Sequence, residues 1–153
     1  MYFYFHHLQI SLLKLYSKIK LIIKKTRVAR LSTVDKTSQP YSIPVVFVYY
    51  KNSFFIPLDE KTKSTKTSKL RRVKNIEHNP QVCLLIDEYT ENWNDLFYIL
   101  IKGKAELIHE KYNLKHVHKL LVSKYPQYMK IGIGDSCIRI NPTKVTIWNN
   151  ESL

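Results

Sequence analysis

Six short segments rich in Val, Ile, Tyr and Phe alternate with clusters of turn-forming residues along the chain. Runs of this composition predict β-strands, here at residues 28–34, 41–50, 53–58, 82–87, 96–108 and 137–148. Because strands and helices do not alternate regularly, a doubly wound parallel sheet is not expected. Six mostly hairpin-connected strands in 153 residues predict a mainly β (α+β) fold, a six-stranded antiparallel barrel or sandwich with flanking helices. Gly103, inside the fifth strand, predicts a bulge or a close backbone approach.

A helix is predicted ahead of the strands, and it divides the chain into an N-terminal unit at 1–26 and a domain at 27–153. Apolar residues recur there at four- and three-residue steps, as on one face of a helix: Leu8, Leu12, Leu15, Ile19 and Ile22. Such a face packs more often on the protein's own core or on a partner subunit than on a membrane. Two further helices are predicted, from Thr67 or Ser68 to His78 and from Glu110 to Tyr125.

The chain shows no secretory signal pattern, and no apolar run approaches the ~20 residues that cross a bilayer. Its two cysteines, Cys83 and Cys137, lie in apolar runs and are predicted to be buried thiols. A cytoplasmic protein without membrane contact is therefore expected.

Two segments together carry a formal charge of +14, and the rest of the chain is nearly neutral, which gives the net charge of +13. Residues 1–34 hold seven basic residues and no acidic one, and residues 61–74 hold another seven and no acidic one. A segment with this density of cations predicts an anionic partner: a phosphorylated cofactor, nucleic acid or an anionic membrane surface. The alternative interpretation is a solvated, lysine-rich face.

Common catalytic and metal-binding patterns are missing from the sequence. There is no phosphate-binding P-loop, and Gly132 with Gly134 supplies only two glycines of a dinucleotide fingerprint. No Gly-x-Ser-x-Gly elbow frames a hydrolase. His116 and His118 point about 200° apart on a helix and cannot chelate one ion together, so no metal site is predicted.

Several short motifs follow one another in a characteristic order. They are Arg27-Val-Ala-Arg-Leu-Ser-Thr-Val-Asp35, Ile43-Pro-Val-Val-Phe47, Asp59-Glu-Lys-Thr-Lys-Ser64, Lys69-Leu-Arg-Arg-Val-Lys-Asn-Ile76, Asn79-Pro-Gln-Val82, Trp93-x-x-Leu96 and Tyr125-Pro-Gln-Tyr128. Over about residues 27–150 the combination resembles the pyridoxamine 5'-phosphate oxidase-like flavin-binding split barrels. It is most similar to the branch of oxidoreductases that use the deazaflavin coenzyme F420.

The resemblance implies a split β-barrel that forms a homodimer, with cofactors in two clefts between the subunits. It implies that the cofactor phosphate is held by cations after the third strand and in the following helix, at positions that correspond to Lys61, Lys66, Lys69 and Arg72. A helix N-terminus near Thr67 would add backbone N–H donors to such a site.

The same resemblance implies a ring site beside the strand that contains Pro44, Val45 and Val46, with backbone groups reaching the ring's polar edge. Trp93 would stack on the ring or close the cleft, or else pack at the dimer interface. The implied reaction is hydride transfer between the cofactor and a small organic substrate, with the cofactor supplying the chemistry. No catalytic residue is assigned, although Tyr49, Tyr89 and Tyr98 lie near the predicted cleft strands.

Three alternatives remain open at this level. The cofactor could be flavin mononucleotide (FMN) instead of coenzyme F420. The protein could carry a cofactor without turnover, because the implied enzyme needs no additional side chain. A small barrel that binds nucleic acid through basic and aromatic residues is the third alternative, although most aromatic residues lie in apolar runs typical of a core.

Overall fold

The computed structural model describes residues 7–8, 17–58, 70–109 and 111–149. The strands are β1 (His7–Leu8), β2 (Ala29–Val34), β3 (Pro40–Val45), β4 (Val48–Tyr50), β5 (Ser53–Pro57), β6 (Gln81–Glu88), β7 (Phe97–Ile108) and β8 (Cys137–Asn149). The helices are α1 (Ser17–Lys25), α2 (Arg71–His78), α3 (Lys111–Lys124) and α4 (Tyr128–Ile131), and Trp93–Asp95 form a short 3-10 turn. No helix in these ranges is long and apolar enough to cross a lipid bilayer.

All strand pairs are antiparallel, and they form one sheet in the order β3-β2-β6-β7-β8-β5-β4, with β1 beside β8. The two edge strands, β3 and β4, follow each other in the chain and are separated only by Val46 and Phe47. The sheet therefore curls until its edges are bridged by two residues, but it does not close. This arrangement confirms the predicted antiparallel split barrel with flanking helices.

The predicted number of six strands is wrong, because the described residues contain eight. The strand predicted at 41–50 is two strands, since Phe47 and Val48 are both buried and interrupt the alternation of inward and outward side chains. His7 and Leu8 pair with β8, so the helix predicted from Leu8 cannot begin there. Helix α4 was not predicted.

Two apolar clusters lie on either side of the strands β4, β5 and β8. The barrel interior contains Leu31, Leu84, Ile101 and Ile140, and α1 closes it with Ile19 and Ile23. The second cluster lies under α3 and joins Leu114, Val117 and Leu121 to Val48, Phe55 and Cys137. Each fully buried aliphatic side chain stabilises the fold by about 1.5–3 kcal/mol through its removal from water.

The predicted burial of the cysteines holds for Cys137 but only partly for Cys83. Cys137 is buried in the second cluster, whereas Cys83 points to the outer face of β6 and is half-buried. The alternation of β6 explains the difference, because Val82 and Leu84 on either side of Cys83 face the interior.

Gly103 lies at a β-bulge between β7 and β8, as its position in the strand predicts. The register shifts between Lys102 and Gly103. A Cβ atom at this position would lie 2.7 Å from the Asn141 carbonyl oxygen and 2.8 Å from Ile140 Cγ2. Both distances are shorter than any normal contact, and one of them is to backbone, so only glycine fits.

We expect Gly103→Ala to lower the free energy of unfolding by about 1–3 kcal/mol, because the added methyl group forces β7 and β8 apart. Denaturant unfolding measures the change. Lys102→Ala, an exposed neighbour on the same strand, is the matched control and should change the value by less than about 0.5 kcal/mol. Equal stability of the two variants would contradict the packing argument.

Candidate functional site

The turn between β2 and β3 is organised by one carboxylate. Asp35 Oδ1 accepts hydrogen bonds from the Thr37 hydroxyl (2.7 Å) and from the backbone N–H groups of Thr37 (2.9 Å) and Gln39 (3.0 Å). Arg71 Nη2 donates to Asp35 Oδ2 at 3.2 Å. These donors lower the pKa of Asp35 from 3.8 to about 2, and the Thr37 hydroxyl has the largest effect. The turn is thus held by a group that stays ionised at any physiological pH.

Helix α2 packs on this turn through a buried polar contact. Asn75 Nδ2 donates to Thr33 Oγ1 at 2.9 Å, and both side chains are buried. The Arg71 guanidinium lies over the Tyr41 ring, 5.1 Å from its centroid, in addition to its contact with Asp35. Arg71 is therefore occupied in attaching α2 to the β2–β3 hairpin.

The first turn of α2 is positively charged. It contains Arg71 and Arg72 and no acidic residue, although a helix N-terminus already carries partial positive charge. Arg72, the predicted phosphate ligand, is half-buried there. The helix begins at Arg71 with Leu70 as its N-cap, so the prediction of a cap at Thr67 or Ser68 is wrong. Leu70 packs against the barrel interior.

The predicted phosphate ligands Lys61, Lys66 and Lys69 lie outside the described residues. Leu58, the last described residue before this segment, is buried, and its N–H donates to the Ser136 carbonyl oxygen at 3.0 Å. The described chain resumes at Leu70, immediately before α2.

The residues predicted to lie beside a cofactor ring differ in orientation. Pro44 is exposed, Val45 is buried in the barrel interior, and Val46 packs against the cluster under α3. The side chains of Val45 and Val46 thus serve the two apolar clusters. What this segment offers to a ligand is the outer backbone edge of β3, because β3 is an edge strand of the sheet.

Strand register brings Trp93 to the same end of the sheet as Val45 and Val46. Ala29 pairs with Val45, Arg30 pairs with Leu85, and Glu88 pairs with Phe97, so the loop 89–96 leaves the sheet where β2 begins and β3 ends. Asp35, Tyr41 and α2 lie at the opposite end of β3. The four residue steps from Tyr41 to Val45 span about 14 Å in an extended strand.

The loop that carries Trp93 is ordered by its own hydrogen bonds. The Thr90 hydroxyl donates to the Asn92 carbonyl oxygen at 2.6 Å, and Asn92 Nδ2 donates to Asp95 Oδ2 at 2.8 Å. Trp93 is nevertheless 65% exposed and Tyr89 is 69% exposed. The loop therefore holds two large aromatic side chains in solvent, where they are available to a ligand or a partner.

The other two tyrosines considered as proton donors have different surroundings. Tyr49 packs on Phe54 with ring centroids 4.9 Å apart, and its hydroxyl donates to Asn52 Oδ1 at 3.4 Å. Burial raises the pKa of Tyr49. Tyr98 stacks on Trp148 at 5.7 Å. The structure thus does not bring Tyr49, Tyr89 and Tyr98 together.

The bridge between β3 and β4 is held by Tyr125, a residue whose role was not predicted. The Phe47 N–H donates to the Tyr125 hydroxyl oxygen at 3.1 Å. The hydroxyl itself lies 2.8 Å from the Arg27 carbonyl oxygen and 3.0 Å from the Phe47 carbonyl oxygen, and its one proton can be donated to either. Burial, partly offset by the Phe47 hydrogen bond, raises the pKa of Tyr125.

Lys124 reaches the same bridge from α3. Its Nζ donates to the Ile23 carbonyl oxygen at 3.1 Å and lies 3.9 Å from the centroid of the Phe47 ring. The pKa of Lys124 is lowered from 10.5 to about 8, mainly by burial and to a smaller extent by the positive charge of Arg27. The Arg27 guanidinium lies over the Tyr125 ring at 4.8 Å. Two cations and two aromatic rings thus meet where the barrel is split.

No group of three or more His, Cys, Asp or Glu side chains within the described ranges is placed to hold a metal ion. His109 Nδ1 lies 3.0 Å from Ser136 Oγ, but the contact is exposed.

The sequence profile of the family described as pyridoxamine 5'-phosphate oxidase matches residues 15–149. The chain belongs to this family. The match extends from before α1 to the end of β8, so it includes the charged α2, the open edge of β3 and the Tyr125 contact. The resemblance inferred from the sequence motifs is confirmed at the level of the family. Comparison with curated protein sequences gave no match.

Solved structures of the same fold include three that span nearly the whole chain. The heme storage protein HutZ of Vibrio cholerae is 17% identical to this chain with a TM-score of 0.67. The match covers 90% of this chain and 95% of the HutZ chain. A Listeria innocua protein assigned as a pyridoxamine 5'-phosphate oxidase is 21% identical with a TM-score of 0.63. The match covers 90% of this chain and 100% of the Listeria chain. A FAD-binding protein of Mesorhizobium loti is 16% identical with a TM-score of 0.61. The match covers 94% of this chain and 96% of the Mesorhizobium chain. At these identities the likeness establishes the fold.

Lys124 makes the stability of this family member depend on pH in a defined direction. Between its folded pKa of about 8 and its ordinary value of 10.5, the unfolded chain binds more protons than the folded chain. The free energy of unfolding therefore gains a contribution that increases with pH in this window. Cys83 and Tyr125, whose pKa values are raised, contribute in the opposite direction at higher pH.

Comparison of the wild type with Lys124→Met isolates the lysine contribution, because the other groups are common to both. We expect the wild type to gain stability relative to the variant as pH rises from roughly 7 to roughly 10, measured by denaturant unfolding. A difference between the two proteins that stays constant over this range would show that Lys124 is not desolvated in the fold.

Proposed function

We propose that the protein binds a phosphorylated flavin-type cofactor along the open edge of β3 and transfers hydride between that cofactor and a small organic substrate. The observation that supports this most directly is the arrangement of β3 within a pyridoxamine 5'-phosphate oxidase fold. Among the described residues no strand pairs with the outer edge of β3, which runs from the positively charged start of α2 to the end of the sheet that carries Trp93.

In this proposal the cofactor's tail is held at the start of α2. Arg72 supplies a guanidinium, and Lys61, Lys66 and Lys69 supply further cations from the segment before the helix. The first turn of α2 fits an anion, because it lacks acidic residues and adds the positive end of the helix dipole. Arg71 is not assigned to the cofactor, since Asp35 and Tyr41 occupy it.

The ring is assigned to the other end of β3. Pro44, Val45 and Val46 would present backbone groups to its polar edge, and Trp93 would stack on it or close the cleft. A flavin-type ring accepts and donates hydride without a protein nucleophile. The chain would orient the ring, exclude water and neutralise the tail.

We propose coenzyme F420 as the cofactor and FMN as the alternative. The support for coenzyme F420 is the density of cations in residues 61–74, seven without an acidic residue. A longer polyanionic tail needs more charge-assisted donors than a single phosphate. FMN is supported by the family and by the FAD-binding protein of the same fold.

Titration of the protein with coenzyme F420 and with FMN, followed by quenching of Trp93 and Trp148 fluorescence, tests the proposal. We expect saturation near one cofactor per chain at physiological salt. Lys69→Ala/Arg72→Ala should weaken binding at least about tenfold, since each charge-assisted hydrogen bond contributes about 1.5–3 kcal/mol.

Lys115→Ala/Lys119→Ala removes the same charge from exposed positions of α3 and is the control. Equal binding by the two double variants would contradict the phosphate assignment. Absence of quenching by both cofactors would contradict the proposed function. Heme is then the next ligand to test, because HutZ shares the fold. Binding that disappears at physiological salt would instead indicate nonspecific polyanion binding.

We also propose that the protein forms a homodimer through the outer face of β6, β7 and β8. Leu85 and Leu100 are cross-strand partners on this face, and Tyr98 stacks there on Trp148. All four side chains are partly exposed, and Arg30 and Asp87 form an ion pair of 2.7 Å at their border. An apolar centre with a charged border is typical of an isologous interface.

We expect the wild type to sediment with twice the mass of one chain. Leu85→Glu should give monomers, because it introduces an unpaired carboxylate at the centre of the interface. Lys115→Glu, which changes an exposed position on α3, should leave the dimer intact. A monomeric wild type, or a Leu85→Glu variant that stays dimeric, would refute the assigned face.

A further inference from the structure

The Tyr125 hydroxyl occupies the place of a missing ladder bond. Pairing of β2 with β3 follows a constant register, from Val34 with Pro40 to Ala29 with Val45. Two residues further, the same register would pair Arg27 with Phe47. Arg27 and Phe47 do not pair directly; instead, the Phe47 N–H donates to the Tyr125 hydroxyl, which lies 2.8 Å from the Arg27 carbonyl oxygen. The hydroxyl is inserted between two groups that would otherwise bond to each other.

This insertion separates β3 from β2 at the residue where the chain turns towards β4. The Tyr125 hydroxyl, itself buried, satisfies the backbone polar groups that the split would leave without partners, and buried groups of this kind are costly to leave unpaired. Lys124 contacts the side chain of Phe47, because its ammonium lies 3.9 Å from the centre of the Phe47 ring. Backbone and side chain of Phe47 are both held from the end of α3.

We propose that Tyr125 is a positioning residue for the ring of the cofactor. Its hydroxyl fixes Val46 and Phe47, and through them the end of β3 that faces the ring; this step rests on the proposed function. Tyr125 lies behind the strand, in the cluster under α3, and does not itself face the open edge of β3. Its effect would reach the ring through the backbone of Val46 and Phe47.

Tyr125→Phe tests the proposal, because it removes the hydroxyl and keeps the ring that packs against Tyr128 at 6.2 Å. We expect affinity for the cofactor that the wild type binds to fall about tenfold, the loss typical of one or two hydrogen bonds. Tyr50→Phe is the matched control: it removes a hydroxyl from a half-buried tyrosine stacked on His116 at 4.4 Å and should bind as the wild type does.

A phosphate-free form of the cofactor separates positioning of the ring from capture of the tail. Riboflavin serves for FMN, and the corresponding deazaflavin riboside serves for coenzyme F420. Tyr125→Phe should weaken the phosphate-free and the complete cofactor by the same factor. Lys69→Ala/Arg72→Ala should weaken only the complete cofactor. A general loss of folded protein would not separate the two variants in this way.

Hydrogen–deuterium exchange tests the contact without any ligand. The Phe47 amide of the wild type should be protected, although none of the described strands pairs with it, and Tyr125→Phe should remove that protection. Fast exchange at Phe47 in the wild type would overturn the proposal even if the variant did not fold. If Tyr125→Phe binds the cofactor with wild-type affinity, the positioning role of Tyr125 is wrong, but the proposed function is not affected. If the wild type binds no cofactor, both the positioning role and the proposed function are wrong.

Discussion

The contact of the Tyr125 hydroxyl with Arg27 and Phe47 is the interaction on which the architecture depends. A sheet whose first and last edges are consecutive in the chain must either close or leave backbone groups unpaired at the gap. One phenolic hydroxyl solves this problem, because it can accept from an N–H and donate to a carbonyl at the same time. The hydroxyl thus pairs the Phe47 N–H and one of the two carbonyl groups at the end of β3. The proposed cofactor site would use the open edge of β3.

The distribution of charge follows the same division of the molecule. Arg71 is bound to Asp35 and Tyr41 and attaches α2 to the hairpin, whereas Arg72, next to it on the helix, is the residue proposed to bind the cofactor. At the other end, Lys124 and Arg27 face aromatic rings, and their mutual repulsion contributes to the low pKa of Lys124. Cations at both ends of β3 thus make contacts that hold the fold together. A count of basic residues alone does not separate these from cations that bind an anion.

Much of the fold follows from local sequence patterns, and the exceptions have identifiable causes. All six segments predicted as strands contain β-structure, although the one at 41–50 forms two strands, and Gly103 lies at a bulge, because alternation and glycine geometry are local properties. The break at Val46 and Phe47 was missed, since it depends on Tyr125, which is 78 residues away. The motif Tyr125-Pro-Gln-Tyr128 pointed to the family but not to the role of its first residue. Asp35 with Thr37 is an Asx-turn signal that could have been found in the sequence, whereas nothing local marks Lys124 as half-buried.

The separation of Tyr125 from Phe47 has a consequence for the order of folding. The hairpins β2–β3 and β4–β5 bring together residues close in sequence and can form early, but the contact that joins them spans 78 residues. It cannot form on a ribosome until α3 has been synthesised, and loop-closure entropy delays it further. The end of β3 is thus among the last parts of the domain to take its final shape. A ligand that needs this end of β3 would therefore be held only after α3 has been synthesised and the contact has formed.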